Sequence, residues 1–295
     1  MSSVESAARA LKALKDEEWR TLAGLERTSA GYGTADIGRL SRSSRLPKER
    51  VSFAVSDLEK RGLLSRRGAG FALTREGVEA MALKDYVRKD LIFALGAIIA
   101  KGKESDVYEV LTEEGVPLAL KFYKIGRTSF TRARRRRAAE TSDIRSWMTT
   151  NYAAASREYR SLRKLDGLSG VFPRAISYSR STVLLEQVSG VRLSQRPYLE
   201  DPAGVEAAIF GAMRKALEVA GLVNADLSEY NILTNGSAIW IIDWPQAVDS
   251  AHPNSEELLK HDVTAVATFF GRAYGVAVDA ERALGFVRGE AQTLE

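Results

Sequence analysis

Between Gly221 and Val248 the chain reads GLVNADLSEYNILTNGSAIWIIDWPQAV, and this stretch narrows what can be built around it. Asp226 and Asn231 stand five positions apart, and Asp243 follows twelve residues later, closing the apolar run Ile239-Trp240-Ile241-Ile242. Asn235-Gly236 is a hairpin-turn signal between two short apolar segments. The pattern predicts loop, strand, turn, strand, loop. In such a hairpin the two loop ends return to one place, so Asp226 and Asn231 can face Asp243 across a small gap. Two carboxylates and an amide oxygen suit a hard divalent cation that keeps several waters, which is the chemistry of Mg²⁺. The plain alternative is two solvated loops flanking a core hairpin. What separates the readings is whether a matching nucleotide-binding half precedes the stretch.

Such a half is legible. The run Leu91–Ala100 enters as a strand, and Lys101-Gly102-Lys103-Glu104-Ser105 forms a glycine-containing turn before a second strand, Asp106–Val110. A strand–turn–strand of this kind can lay backbone N–H groups over phosphate oxygens. A third strand, Val116–Phe122, carries Lys121 amid apolar neighbours, a setting that asks for an anion such as a nucleotide phosphate. A helix from about Ser142 to Leu165 offers Glu158 as the acid to steady Lys121, with Glu140 as second choice. The strand Thr182–Leu185 runs into Glu186-Gln187-Val188-Ser189-Gly190, a short linker that can present main-chain groups to a base edge. The spacing D-x-x-x-x-N followed by I-I-D completes the phosphoryl-transfer half of a kinase-like lobe.

The first third of the chain has a different character. Residues 1–88 carry 17 Lys and Arg against 12 Asp and Glu, the whole of the chain's net +5. One helix is expected over 5–28, a short one over Thr34–Ser41 with Thr34 as cap, and a third from Leu46-Pro47 to Arg61. Two short strands around the basic turn Arg66-Arg67-Gly68 and a further helix capped by Thr74 complete a winged helix-turn-helix pattern. Arg42, Arg45, Lys48 and Arg50 near the recognition helix, and Arg66 and Arg67 on the wing, are candidates for nucleic-acid contact. Between residues 127 and 137 stand six arginines and no acid, including Arg134, Arg135, Arg136 and Arg137, which reads as an insertion that orders on a polyanion.

Composition removes several classes. The chain has no cysteine and two histidines, His252 and His261, so disulfides, thiol catalysis and His-rich metal sites are out. The N-terminus is charged throughout, and Leu91–Ala100 is too short to span a bilayer, so a cytoplasmic protein without membrane contact is expected.

Taken together, GKESDVYEV (102–110), ALKFY (119–123), the Arg-rich insertion, LSEYNIL (227–233), IIDWPQAV (241–248) and HPNSEELLKHDV (252–263) resemble the atypical RIO protein kinase family, in its winged-helix-bearing subfamily. The resemblance implies an α+β chain: a winged helix over 1–84, a connector at 85–90, and a minimal bilobal kinase-like domain over 91–295. Within the latter it implies an N-lobe at 91–185, a hinge at 186–190, a C-lobe at 191–295 and a flexible insertion at about 126–142. It implies ATP with Mg²⁺ or Mn²⁺ as cofactors, and a kinase or ATPase acting in maturation of the small ribosomal subunit. By the same resemblance Asp226 is the catalytic-loop aspartate, and Asn231 and Asp243 are the metal ligands. Lys121 binds phosphate and is positioned by Glu158. Lys103, Glu104 and Ser105 belong to the phosphate loop, Glu186 and Val188 meet adenine through their backbones, and Asp243 is a candidate for transient phosphorylation. Two positions depart from the pattern. Ala100 stands where a glycine is usual, and Asn224 stands where a histidine usually opens the catalytic loop. The alternatives are a small-molecule kinase of the aminoglycoside-phosphotransferase type, and a nucleic-acid-binding regulator with an inactive kinase lobe.

Overall fold

The computed structural model describes residues 2–126, 140–168, 170–276 and 279–294, with backbone alone at 30–32 and 140–146. It comprises two compact units, Met1–Ala155 with Tyr178–Leu184, and Ser156–Ser177 with Leu185–Glu295.

The first unit opens with helices α1 (Ser3–Ala13), α2 (Asp16–Tyr32), α3 (Ile37–Ser44) and α4 (Lys48–Lys60), the wing strands β1 (Leu64–Arg67) and β2 (Gly70–Leu73), and helix α5 (Arg75–Arg88). The single helix expected over 5–28 is two. Leu14 and Lys15 adopt extended backbone, and the Glu18 carboxylate accepts the Lys15 N–H at 2.5 Å to start α2 afresh. Periodicity missed the break because apolar residues recur at helical spacing on both sides of it. Helix α3 starts later than expected, capped by Asp36, whose Oδ1 accepts the Arg39 N–H at 2.8 Å. Thr34 does not cap it, because the next residue, Ala35, is drawn into the wing by two backbone bonds with Phe71. Thr74 does cap α5 and accepts from Gly77 at 3.1 Å. The charged stretch 82–88 forms the last turns of α5, with Leu83 and Tyr86 buried.

Three antiparallel strands follow: β3 (Ala94–Lys101), β4 (Ser105–Leu111) and β5 (Pro117–Tyr123). With β6 (Ala175–Ser179) and β7 (Thr182–Glu186) they form a five-stranded sheet in the order β3-β4-β5-β7-β6. On β4 every second side chain from Asp106 to Val110 is buried, the alternation of a sheet covered on one face. Helix α6 (Glu140–Lys164) comes between β5 and β6 in the chain. The Arg-rich segment 127–139, with the candidates Arg134 to Arg137, lies outside the described residues.

In the second unit come β8 (Val191–Arg192), helix α7 (Pro202–Glu218), short strands β9 (Leu222–Val223), β10 (Ile232–Thr234), β11 (Ile239–Ile241) and β12 (Val248–Asp249), and helices α8 (Ser255–Tyr274) and α9 (Ala280–Val287). The hairpin expected at Asn235-Gly236 is present, pairing Ile232 with Ile241 and Thr234 with Ile239. Its buried face joins Leu162, Phe172, Ile209, Phe210, Trp244, Val263, Phe270 and Leu284 in one core. Trp244 meets Phe172 edge-on at 5.5 Å and donates its indole N–H to the Ile241 carbonyl at 3.0 Å, so its polar atom is satisfied inside the core.

Glu206 on α7 is fully buried, and neither carboxylate oxygen has a hydrogen-bond partner among the described residues. Burial pushes its carboxyl up from 4.5 to about 7. The folded chain therefore holds a proton that the unfolded chain releases above pH 4.5, and stability should fall as pH rises from about 4.5 to about 7. The slope from this one group is on the order of 1.4 kcal/mol per pH unit at most. Glu206→Gln should remove that slope in urea titrations across the window; an unchanged slope would mean that Glu206 is ionised in the fold.

Candidate active site

Asp226, Asn231 and Asp243 all lie in the second unit. Asp226 lies in the loop between β9 and β10, and Asp243 directly follows β11 in Ile242-Asp243, so the hairpin presents both loop ends as its sequence demanded. Both loops are strained there. Ala225 and Asp243 each take φ 69°, left-handed backbone that costs a non-glycine residue about 1–3 kcal/mol. Such strain persists only where neighbours enforce it, and the enforcing groups are identifiable.

Asp262 on α8 is fully buried and accepts the N–H of Ala225 at 2.8 Å and of Leu227 at 3.0 Å. One carboxylate thus clamps the backbone on both sides of Asp226. Burial pushes the Asp262 carboxyl up to about 6, opposed by the two backbone donors and by His261, whose Nδ1 lies 3.7 Å away. Asn224, 5% exposed, bridges the two loops: its Nδ2 donates to the Asp243 carbonyl at 3.2 Å and its Oδ1 accepts the Asp226 N–H at 3.2 Å. The amide thus supplies both a donor and an acceptor where a histidine was expected. Asn231 donates Nδ2 to the Asp226 carbonyl at 2.8 Å, which commits its nitrogen and leaves its oxygen as the group available to a cation. Burial first, and then the charge of Asp243, raise the Asp226 carboxyl above its ordinary range, while His261 pulls it down. Asp226 and Asp243 are therefore near enough to feel one another's charge. Among the described residues no group of three or more His, Cys, Asp and Glu forms a metal cluster. The oxygen set is two carboxylates and an amide, which fits a cation that retains water, as Mg²⁺ does.

Glu158 is buried on α6 and accepts the N–H of Trp244, the residue after Asp243, at 3.4 Å. Its neighbour Arg157 donates to the Pro245 carbonyl at 2.9 Å. Helix α6 is thereby fastened to the segment that follows Asp243. The side chain of Glu140, the second choice, lies outside the described residues. At the linker, the Glu186 N–H is taken by the Arg174 carbonyl at 2.9 Å, so Glu186 can offer a ligand its carbonyl but not its amide. Val188 is half-buried beyond it. A Cβ on Gly190 would approach the Thr234 carbonyl to 2.9 Å, so glycine is needed where the linker crosses β10.

Lys121, the β3–β4 turn and the wing lie in the first unit. Lys121 is 5% exposed on β5, opposite Val107, with its ammonium 4.9 Å from the Tyr123 ring centre. The turn between β3 and β4 is closed by Gly102 N–H to the Ser105 carbonyl at 2.8 Å and held from behind by Lys124 N–H to the Glu104 carbonyl at 2.7 Å. Lys103 and Glu104 stay exposed and Ser105 is half-buried. Composition gave no sign that Lys124 and Asp106 form a buried 2.6 Å ion pair under the turn. On the wing, Arg66 and Arg67 are exposed, with the Arg66 guanidinium 4.8 Å above the Phe71 ring. Arg50 pairs with Glu17 at 3.5 Å, while Arg45 takes left-handed backbone at the end of α3.

Sequence reasoning missed Asp262. A signal existed: it lies on the same helical stripe as Leu259, Val263 and Val266, and a lone acid on a buried stripe has to be satisfied by something.

A family described as "RIO domain" matches residues 106–283, and one described as "Rio2, N-terminal" matches 11–89. The RIO-type serine/threonine-protein kinase Rio2 of Methanocaldococcus jannaschii is 35% identical over 243 residues, covering 79% of this chain and 88% of that one. Serine/threonine-protein kinase RIO2 of Caenorhabditis elegans is 28% identical over 270 residues, and the chain spans about half the length of that relative, 51%. Among solved structures, a Rio2 kinase–ADP/Mg²⁺–phosphoaspartate complex from Chaetomium thermophilum superimposes with a TM-score of 0.81 at 27% identity, covering 97% of this chain and 94% of that one.

If Asp262 clamps the loop, Asp262→Ala strands two backbone donors at a cost of about 1–3 kcal/mol. The amides of Ala225 and Leu227 should then exchange with solvent roughly 10- to 100-fold faster, with the β4 amides unchanged as the control; equal rates in both proteins would refute the clamp.

Proposed function

The chain belongs to the RIO family of serine/threonine-protein kinases, in its Rio2 branch, and from that premise we propose that it binds ATP with Mg²⁺ and transfers the γ-phosphoryl group with Asp226 and Asp243 as its catalytic residues. The observation that supports this most is that Asp226 and Asp243 stand on the two loops flanking one hairpin, in or next to left-handed backbone, with the Asn231 nitrogen committed to the Asp226 carbonyl. In this reading Asn231 and Asp243 hold Mg²⁺, which when bound offsets the charge of the phosphates. Mn²⁺ could take its place. Lys121 pairs with the phosphates, and Glu158 sets the orientation of that lysine. The turn at Lys103, Glu104 and Ser105 lies over the phosphates, and the Glu186 carbonyl with the Val188 backbone meets adenine. The carboxyl of Asp226, raised by burial and by the charge of Asp243, suits a base that must take a proton from an attacking hydroxyl or water.

The Chaetomium thermophilum relative was solved with a phosphoaspartate. We infer that Asp243 can serve as the acceptor here. Its carboxylate oxygen would bond to the γ-phosphorus as the bond to the β–γ bridging oxygen breaks and ADP leaves, and water would then hydrolyse the acyl phosphate. The role in small-subunit maturation belongs to the same proposal. It draws on the basic first third of the chain, where Arg66 and Arg67 would contact ribosomal RNA together with Arg134, Arg135, Arg136 and Arg137. We place the winged helix at 1–84 and the kinase domain at 91–295, and the compartment in the cytoplasm. Among the described residues no helix is long and apolar enough to cross a membrane.

Asp243→Asn should abolish both ATP turnover and any hydroxylamine-sensitive phosphoenzyme, while Asp226→Asn should lower turnover by about 10²-fold or more. Turnover surviving in Asp243→Asn would overturn the assignment. Replacing Arg134–Arg137 with Gln should flatten the dependence of small-subunit association on salt, in proportion to the number of phosphates those arginines neutralise. An unchanged slope would leave those arginines as solvated surface. Measuring ATP hydrolysis with and without purified small-subunit particles tests the partner itself.

A further inference from the structure

The winged helix is tied to the kinase-like sheet and to α6 by a cluster of polar side chains that the phosphoryl-transfer chemistry does not use. At its centre is Arg180, at the tip of the β6–β7 hairpin, in left-handed backbone at φ 54°. Its guanidinium makes a two-pronged bond to Glu26 of α2, Nε to Oε1 at 2.7 Å and Nη2 to Oε2 at 2.9 Å. Its third nitrogen, Nη1, donates to Asp85 of α5 at 2.6 Å. Ser179 donates to the same Asp85 oxygen at 2.9 Å. Glu26 Oε1 then accepts a further bond, from the Tyr152 hydroxyl of α6, at 2.8 Å. One turn of α6 is thereby joined to the winged helix. At the adjacent position Asn151, fully buried, accepts the Ile125 N–H at 2.8 Å and donates to the Ile125 carbonyl at 3.2 Å, which fixes the same turn to the end of β5.

A cluster like this is a poor way to gain stability, because well-packed apolar groups of the same volume do as well or better. What a satisfied polar network confers is a single geometry. Here the element whose geometry is fixed is α6, which runs unbroken from Glu140 to Lys164 and carries Glu158 six residues beyond Tyr152, about 9 Å along the axis. A rotation of α6 would swing Glu158 with it. We infer that Glu26, Arg180 and Tyr152 are positioning residues for phosphoryl transfer: through them the winged helix sets the rotation of α6 and so the placement of Glu158. The inference rests on the role given to Glu158 above. It makes the winged helix part of the catalytic apparatus as well as a binding module.

Tyr152→Phe is the sharpest variant, since it removes one hydroxyl and leaves the Arg180–Glu26 pair whole; Glu26→Gln is the second. In the full chain, each should raise the KM for ATP about 3- to 10-fold with little change in melting temperature. In a Glu158→Gln background each should add nothing further, as expected for residues that act through one another. If both variants leave KM within twofold of the parent, or if their effects add to that of Glu158→Gln, the cluster is a fastening and the inference fails. If Glu158→Gln alone leaves KM and kcat unchanged, the role of Glu158 itself is wrong and the inference falls with it.

Discussion

The buried carboxylate of Asp262 is the constraint from which the candidate site follows. It accepts two backbone N–H groups on either side of Asp226, and it does so from inside the core of α8. The loop needs such a partner. Left-handed backbone at Ala225 and Asp243 is uphill for both residues. Hydrogen bonds that hold the strained arrangement in place have to come from groups that cannot retreat into water. Asn224 adds a second tie between the same two loops, so the positions of Asp226 and Asp243 are set by buried partners and not by their own preferences. Preorganisation of this kind lets charged groups act on a phosphate without rearranging during the reaction.

Much of the architecture was legible because it rests on short-range chemistry. Asn235-Gly236 marked the hairpin, and Thr74 marked a helix start. The elements misread were those in which a tertiary contact overrode a local signal. The break at Leu14–Lys15 is invisible to periodicity, and Thr34 could look like a cap only until the wing claimed Ala35. Asp226, Asn231 and Asp243 could be proposed from spacing, because the hairpin between them has a fixed length. Their supports did not. Asp262 lies 36 positions from Asp226, and Arg180 lies 154 positions from Glu26; nothing local to any of these residues names its partner.

The Asn224 position shows how chemistry can be kept while identity changes. Where the family pattern has a histidine, this chain needs one donor and one acceptor at fixed places, and an amide provides both without titrating. Ala100 is easier to accommodate: it pairs with Val107 beside a register shift in β3, and the turn over Gly102 is closed by its own backbone bond.

The central claim is that Asp226, Asn231 and Asp243 form a site for a nucleotide-bound divalent cation, and a paramagnetic stand-in tests it directly. With Mn²⁺ and ADP added to the isotope-labelled full chain, relaxation should broaden the Asn231 side-chain amide and the backbone signals of Leu227 and Trp244 first, and should spare those of α9. Broadening that spares the Asn231 amide and centres elsewhere in the chain would contradict the account.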